Sequence, residues 1–164
     1  MQRPRSIILL IVWFLWATGQ DLSHLARFST TTDYYVFASI GMPWLYFVLA
    51  MTVFLLNAAS VFYLYRPEAF APRVLWTALG AAAAQNLLVG SLTLENLDGV
   101  RQAYAMGREL RGLPVREGAL DMLFQPAGLG IALLLSLCVY ALVAWLVRRN
   151  RAYFSGAEGF TAAL

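Results

Sequence analysis

The chain has 164 residues, 60% of them apolar and only 13% charged, with a net charge of +3 and one cysteine, Cys138. Soluble proteins hold roughly 45–50% apolar and 25% charged residues, so this excess has no soluble core to fill. A single thiol excludes an internal disulfide or a cysteine metal cluster, and the small positive charge reflects arginine clusters that orient the chain and meet anionic lipid rather than a nucleic-acid-binding patch.

Four apolar stretches carry the excess: 7–19, 43–65, 74–94 and 126–147. The first follows Arg5 and ends in Ala17-Thr18-Gly19, which also resembles a secretory signal with a small-residue cleavage site. Trp13, Phe14 and Trp16 suit a membrane boundary, and Leu22 and Leu25 extend the helix to spanning length, so a retained helix over 7–25 is expected. The other three stretches have no charged residue, and at 1.5 Å per residue each matches a hydrocarbon layer of about 30 Å. Before the second, a straight helix from Asp33 to Tyr65 would be about 50 Å long, too long for a bilayer. Gly41 and Pro43 break it, leaving a short interfacial segment with Tyr34, Tyr35 and Phe37.

Arg3 and Arg5 precede the first span, Arg66 and Arg73 flank the second-to-third connection, and Arg148, Arg149 and Arg151 follow the fourth. With four spans these share one side, which the positive-inside rule makes cytoplasmic, with both termini inside. The long connection 95–125 lies on the other side. Leu97, Val100, Tyr104 and Leu110 recur at helical spacing, Gly112 and Pro114 interrupt, and Leu120, Leu123 and Phe124 mark a second short helix. These two amphipathic helices either lie on the bilayer or cap the bundle. The end of the chain, 151–164, is small and polar without periodicity, which predicts a flexible cytoplasmic tail.

Within the spans the polar side chains are few. Asn57, Gln85, Asn86, Ser136 and Tyr140 fall in one slab, about 11 to 18 Å from the cytoplasmic helix ends. Ala82, Asn86, Gly90 and Thr93 form one stripe of the third span; Gly128, Ala132, Ser136 and Tyr140 form one of the fourth. An amide facing lipid without a partner costs several kcal/mol, so these groups should point inward. Their plainest role is to tie helices together; the alternative is to line a pocket for a polar solute or lipid headgroup. The last three spans hold no titratable acid, base or histidine, which argues against ion-coupled transport.

The catalytic constellations are thin. His24, the one histidine, lies three residues after Asp21 and can share a helix face with it; a metal site would need further ligands, which Asp33 or the outer-loop acids could supply only through the fold. Glu117 and Asp121 share a helix side beside Arg116, a pattern compatible with acid–base work or divalent cation binding but also with a solvated face. Asp98 and Arg101 look like a helix-surface pair, and Arg108 and Arg111 offer two cations for a phosphate without a glycine-rich loop beside them. Cysteine pairs for disulfide exchange and a membrane glutamate for drug export are both missing.

The expected architecture is all-α and polytopic: a bundle of four transmembrane helices over 1–150 with short amphipathic helices in the outer loop. The expected setting is a bacterial inner membrane, to which the all-arginine, alanine-rich composition points. The expected role is that of a non-enzymatic subunit, assembly factor or partner-binding component, touching the lipid bilayer and a membrane-protein partner or a second copy of itself, without cofactor, metal or nucleic acid. The alternatives are a carrier or binding protein using Asn57, Gln85, Asn86, Ser136 and Tyr140, and a membrane enzyme using the outer-loop carboxylates.

Overall fold

The computed structural model describes residues 4–155, which contain helices and turns and no strand. In order along the chain these residues form α1 (Arg5–Ala26), a 3₁₀ turn (Phe28–Thr30), α2 (Thr32–Ser39), α3 (Pro43–Tyr65), α4 (Ala71–Glu95), α5 (Leu97–Glu109), α6 (Glu117–Leu123), α7 (Pro126–Arg149) and α8 (Arg151–Ser155). Helices α1, α3, α4 and α7 are each long and apolar enough to cross a membrane.

Prolines start three of these four. Pro43, Pro72 and Pro126 occupy the first turn of α3, α4 and α7, where a missing backbone N–H costs nothing. Between α2 and α3, Gly41 adopts φ +74°, a left-handed conformation that breaks the helix before Pro43 restarts it. Helix α2 is capped by Thr31, whose Oγ1 accepts from the Tyr34 backbone N–H at 3.2 Å.

Around the bundle α1 lies along α3, α3 along α4 and α4 along α7, whereas α7 and α1 touch sparingly. Their contact is concentrated at the Arg5 end, where Ile7, Leu10, Phe14, Leu75, Val147 and Phe154 are buried in one cluster. The Ser6 hydroxyl donates to Asn150 Oδ1 at 2.6 Å beside it. Residues 151–155 therefore depart from the expected flexible tail. They form α8 because Phe154 finds a place in this core and the Tyr153 hydroxyl donates to the Leu64 carbonyl at 3.3 Å. The remainder of that tail, 156–164, and Arg3 lie outside the described residues.

The opposite end is covered. Val36 of α2, Val100 of α5, and Leu120 and Phe124 of the α6 region are buried together against Val89 and Leu92 of α4. Phe37, Tyr46 and Ala50 form a neighbouring cluster with Phe28 and Leu45. Helices α2, α5 and α6 thus form a cap on the bundle, and Tyr35 and Phe37, read from sequence as interfacial, are buried inside it. Gly107 of α5 makes this closure possible, since any Cβ there would overlap the Tyr35 hydroxyl and ring.

Gly90 of α4 similarly lets Leu133 of α7 approach, its virtual Cβ lying 3.1 Å from a Leu133 methyl. The small-residue stripe expected along α7 is split: Ser136 and Tyr140 turn inward, while Gly128 and Ala132 are exposed because the cap-end half of α7 stands away from α1. The outward faces are apolar, with Leu9 60%, Leu55 58% and Leu135 62% exposed.

Candidate functional site

Where α1 and α7 part, they leave a cavity of about 460 Å³ inside the bundle. All four long helices line it, and Asp33 of α2 closes it from the cap. The five polar side chains singled out in the spans, Asn57, Gln85, Asn86, Ser136 and Tyr140, are all on its wall. They are not equivalent. Asn57 is buried and its Nδ2 donates to Asp21 Oδ2 of α1 at 2.7 Å, while Asn86 Nδ2 donates to the Tyr140 hydroxyl of α7 at 3.3 Å. These two amides tie helices together. Ser136 donates back to the Leu133 carbonyl of its own helix at 2.8 Å and ties nothing.

Gln85 differs again. Its Oε1 is fully shielded, and among the described residues it is the one such buried side-chain N or O atom with no hydrogen-bond partner. A buried carbonyl oxygen without a donor costs about 1–3 kcal/mol, so this atom marks a position where a donor supplied from elsewhere would be favoured.

Helix α1 contributes what the counting of polar residues in the last three spans passed over. Trp13, Trp16, Ala17, Gln20, Asp21 and His24 recur at helical spacing and together face the cavity. That stripe of aromatic, small and polar residues was visible in the sequence. Asp33 carried no local signal, because the turn at Phe28–Thr30 and α2 bring it back over the bundle. Burial pushes the Asp33 carboxyl above the usual carboxylate range, and the charge of His24 opposes that rise. Trp16, Gln20, His24 and Val139 line the cavity and are also exposed, so it opens at the surface along the α1–α7 seam.

The aromatic part is organised. Trp13 and Trp16 have ring centroids 5.5 Å apart at 44°, and Trp13 meets Tyr140 edge-on at 6.4 Å and 87°. This contact bridges α1 and α7 between the closed Arg5-end core and the open seam. Among the described residues no group of three or more His, Cys, Asp or Glu side chains is placed to hold a metal ion.

The cap candidates lie apart from this cavity. Arg101 reaches Glu117 at 3.0 Å and Asp121 at 2.6 Å, so one guanidinium spans both carboxylates. Its expected partnership with Asp98 is replaced, because the turn through Gly112, at φ +67°, folds α6 back beside α5. Arg108 Nε donates to the Pro114 carbonyl at 3.3 Å, and its Nη1 lies 3.5 Å from the Tyr104 hydroxyl. Arg111 Nε donates to the Gly107 carbonyl at 2.8 Å. The two cations are thus used within the cap rather than paired for a phosphate. Comparison with protein-family models, curated proteins and solved structures finds no match to the chain.

Proposed function

We propose that the chain is a multi-pass protein of a bacterial inner membrane that binds a small polar molecule, or the polar head of a lipid, in the cavity between α1 and α7. Membrane insertion is supported by the four apolar helices and their exposed leucine-rich outer faces, which in water would form apolar patches far larger than a soluble monomer carries. For orientation the support is arginine: Arg5, Arg66, Arg73, Arg148 and Arg149 gather at one end. There Arg66 stacks over Phe62 at 5.6 Å, Arg73 over Phe70 at 6.0 Å and Arg149 over Trp145 at 5.2 Å, as at a cytoplasmic membrane boundary.

The observation that carries the binding role is the shielded Gln85 Oε1 beside a 460 Å³ cavity, a volume within the range of small-molecule sites. Asn57 and Asn86 each tie two helices through one Nδ2 bond, whereas Gln85 keeps a shielded oxygen without a donor. The test is native mass spectrometry of the chain after gentle extraction. A small-molecule or lipid adduct is expected on the wild type and should be absent from Ala82→Phe, which fills the cavity. Adduct-free masses for both, each equal to its own bare chain, would refute the proposal.

A second reading, association with a partner protein or a second copy of the chain, is favoured by two residues of the cap. Leu110 is 84% and Met122 75% exposed, on the cap beyond the ends of the four long helices. Loss of copurification in Leu110→Ser with Met122→Ser would support it. Catalysis by the outer-loop acids gains no geometric support, since Arg101 occupies both Glu117 and Asp121.

A further inference from the structure

Carboxylates predominate in the cavity's ionisable lining. Asp21 and Asp33 face it, His24 accompanies them, and no arginine or lysine lines it. With His24 neutral the formal charge is two negatives, and with His24 protonated it is one. Neither carboxylate is in an ion pair among the described residues, in contrast to Glu117 and Asp121 on the cap, which share Arg101. An anion placed here would meet like charge with little water to screen it, whereas a cation would add counter-charge beyond what His24 supplies.

Two further features narrow the class. Trp13, Trp16 and Tyr140 form an aromatic corner on the same wall, and ring faces attract cations, tryptophan most strongly. Gln85 lines the cavity with a shielded, unbonded Oε1; turned into the cavity, that oxygen would accept from an ammonium with N–H groups and not from a quaternary ammonium. Beside Gln20, Asn57, Asn86 and Ser136 the lining includes the apolar Val53, Leu79, Val89 and Val139, so the occupant has an apolar body beside its charged end.

We infer that this cavity takes a protonated amine, its N–H groups addressed by Asp21, Asp33 and Gln85 and its apolar body set against Trp13, Trp16 and Tyr140. The inference rests on the binding role proposed above and adds the class of ligand. A free amine and a phosphatidylethanolamine headgroup both present this chemistry, and the seam between α1 and α7 admits either.

The test uses the purified full chain in phosphatidylglycerol nanodiscs and four probes that share a phenyl ring and a two-carbon arm: phenethylammonium, its N,N,N-trimethyl derivative, phenethyl alcohol and 3-phenylpropionate. Calorimetric titration should show phenethylammonium binding at least about tenfold tighter than each of the others, the difference a single charged hydrogen bond makes. Asp21→Asn, which keeps an oxygen for Asn57, and Asp33→Asn should each weaken it about tenfold, and Gln85→Leu should weaken it in the same direction. Asp98→Asn, outside the cavity, should leave it unchanged. Thermal melting of each variant verifies that it is folded.

Equal binding of the alcohol or the propionate overturns the cationic class while leaving a binding cavity. Equal binding of the trimethyl derivative overturns the N–H requirement. If no probe binds but the native-mass adduct persists, the amine class fails and the binding role stands; if neither is seen, both fail. Adding phosphatidylethanolamine to the nanodiscs separates the sources. Competition with phenethylammonium and an adduct of lipid mass identify the headgroup, and an unchanged titration identifies a free amine.

Discussion

The Asp21–Asn57 bond joins α1 to α3 at the cavity wall, and its energy can be read by a double-mutant cycle with Asp21→Ala and Asn57→Ala. At 2.7 Å it has the length of a charge-assisted bond, a class contributing about 1.5–3 kcal/mol. Polar contacts between membrane helices average about 0.6 kcal/mol and reach about 1.7, because the separated helices find other partners. Asn57 is only 5% exposed, whereas Asp21 borders the cavity, so one partner is shielded and the other has alternatives. A coupling of about 1–2 kcal/mol is expected. The single substitutions should also be unequal. Asp21→Ala strands a shielded Nδ2, while Asn57→Ala leaves Asp21 facing the cavity, so the first should destabilise more. Reversible unfolding by sodium dodecyl sulfate in mixed micelles measures all four corners. A coupling below about 0.5 kcal/mol, the usual error of additivity, or an Asn57→Ala cost equal to that of Asp21→Ala, would refute the reasoning.

Gly107→Ala gains about 1 kcal/mol of helix propensity but drives a methyl into buried Tyr35, an overlap costing about 1–3 kcal/mol, so a lower melting temperature is expected. Tyr35→Phe in the same chain should restore part of the loss, and no restoration would show that the hydroxyl is not the obstacle. For Asp33, whose carboxyl is harder to ionise in the folded chain than in the unfolded one, stability is fully present below the ordinary value of about 3.9 and falls as pH rises through the raised folded value. Asp33→Asn should therefore flatten the melting-temperature profile on that side and melt higher at neutral pH; parallel profiles would contradict the burial argument. With cysteines introduced singly, a membrane-impermeant maleimide applied to intact cells should label Glu109→Cys and spare Glu68→Cys, and the reverse pattern would invert the proposed orientation.

The long helices were legible because an uncharged apolar run of about 20 residues has the length a helix needs to cross hydrocarbon and exceeds what a soluble core helix buries. Their prolines and Gly41 fixed where they begin, and the periodicity of Leu97, Val100 and Tyr104 announced α5. The association of Asn57 with Asp21 was not legible. Counted along the helices, Asp21 stands about 24 Å from Arg5 and Asn57 about 12 Å from Tyr65, so depth alone separates them. They meet because the helices are inclined or staggered against one another, a property of packing rather than of either segment. Arg101 shows the same limit on a smaller scale: Asp98 is its neighbour in sequence, but the folding back of α6 brings two carboxylates to it at once.

The placement of the cavity follows from the weakness of α1 as a membrane span. Its apolar run over 7–19 covers about 20 Å, against about 30 Å of hydrocarbon, so in a bilayer the turn holding Gln20, Asp21 and His24 would fall within the apolar layer. A charged aspartate costs about 2.5–3.5 kcal/mol at the centre of a span on insertion scales and less toward the end, where Asp21 lies. The bond from Asn57, at about 1–2 kcal/mol, offsets part of that cost, and Asp21 borders the cavity rather than packed helix. Four helices packed tightly all round would leave no such space, and α1 would then lose more by burying Asp21 than it gained by closing against α7. The sparse α1–α7 contact at the cap end and the acidic cavity are in this sense one feature, and the donor-bearing cation proposed above would complete the electrostatics that the helices leave open.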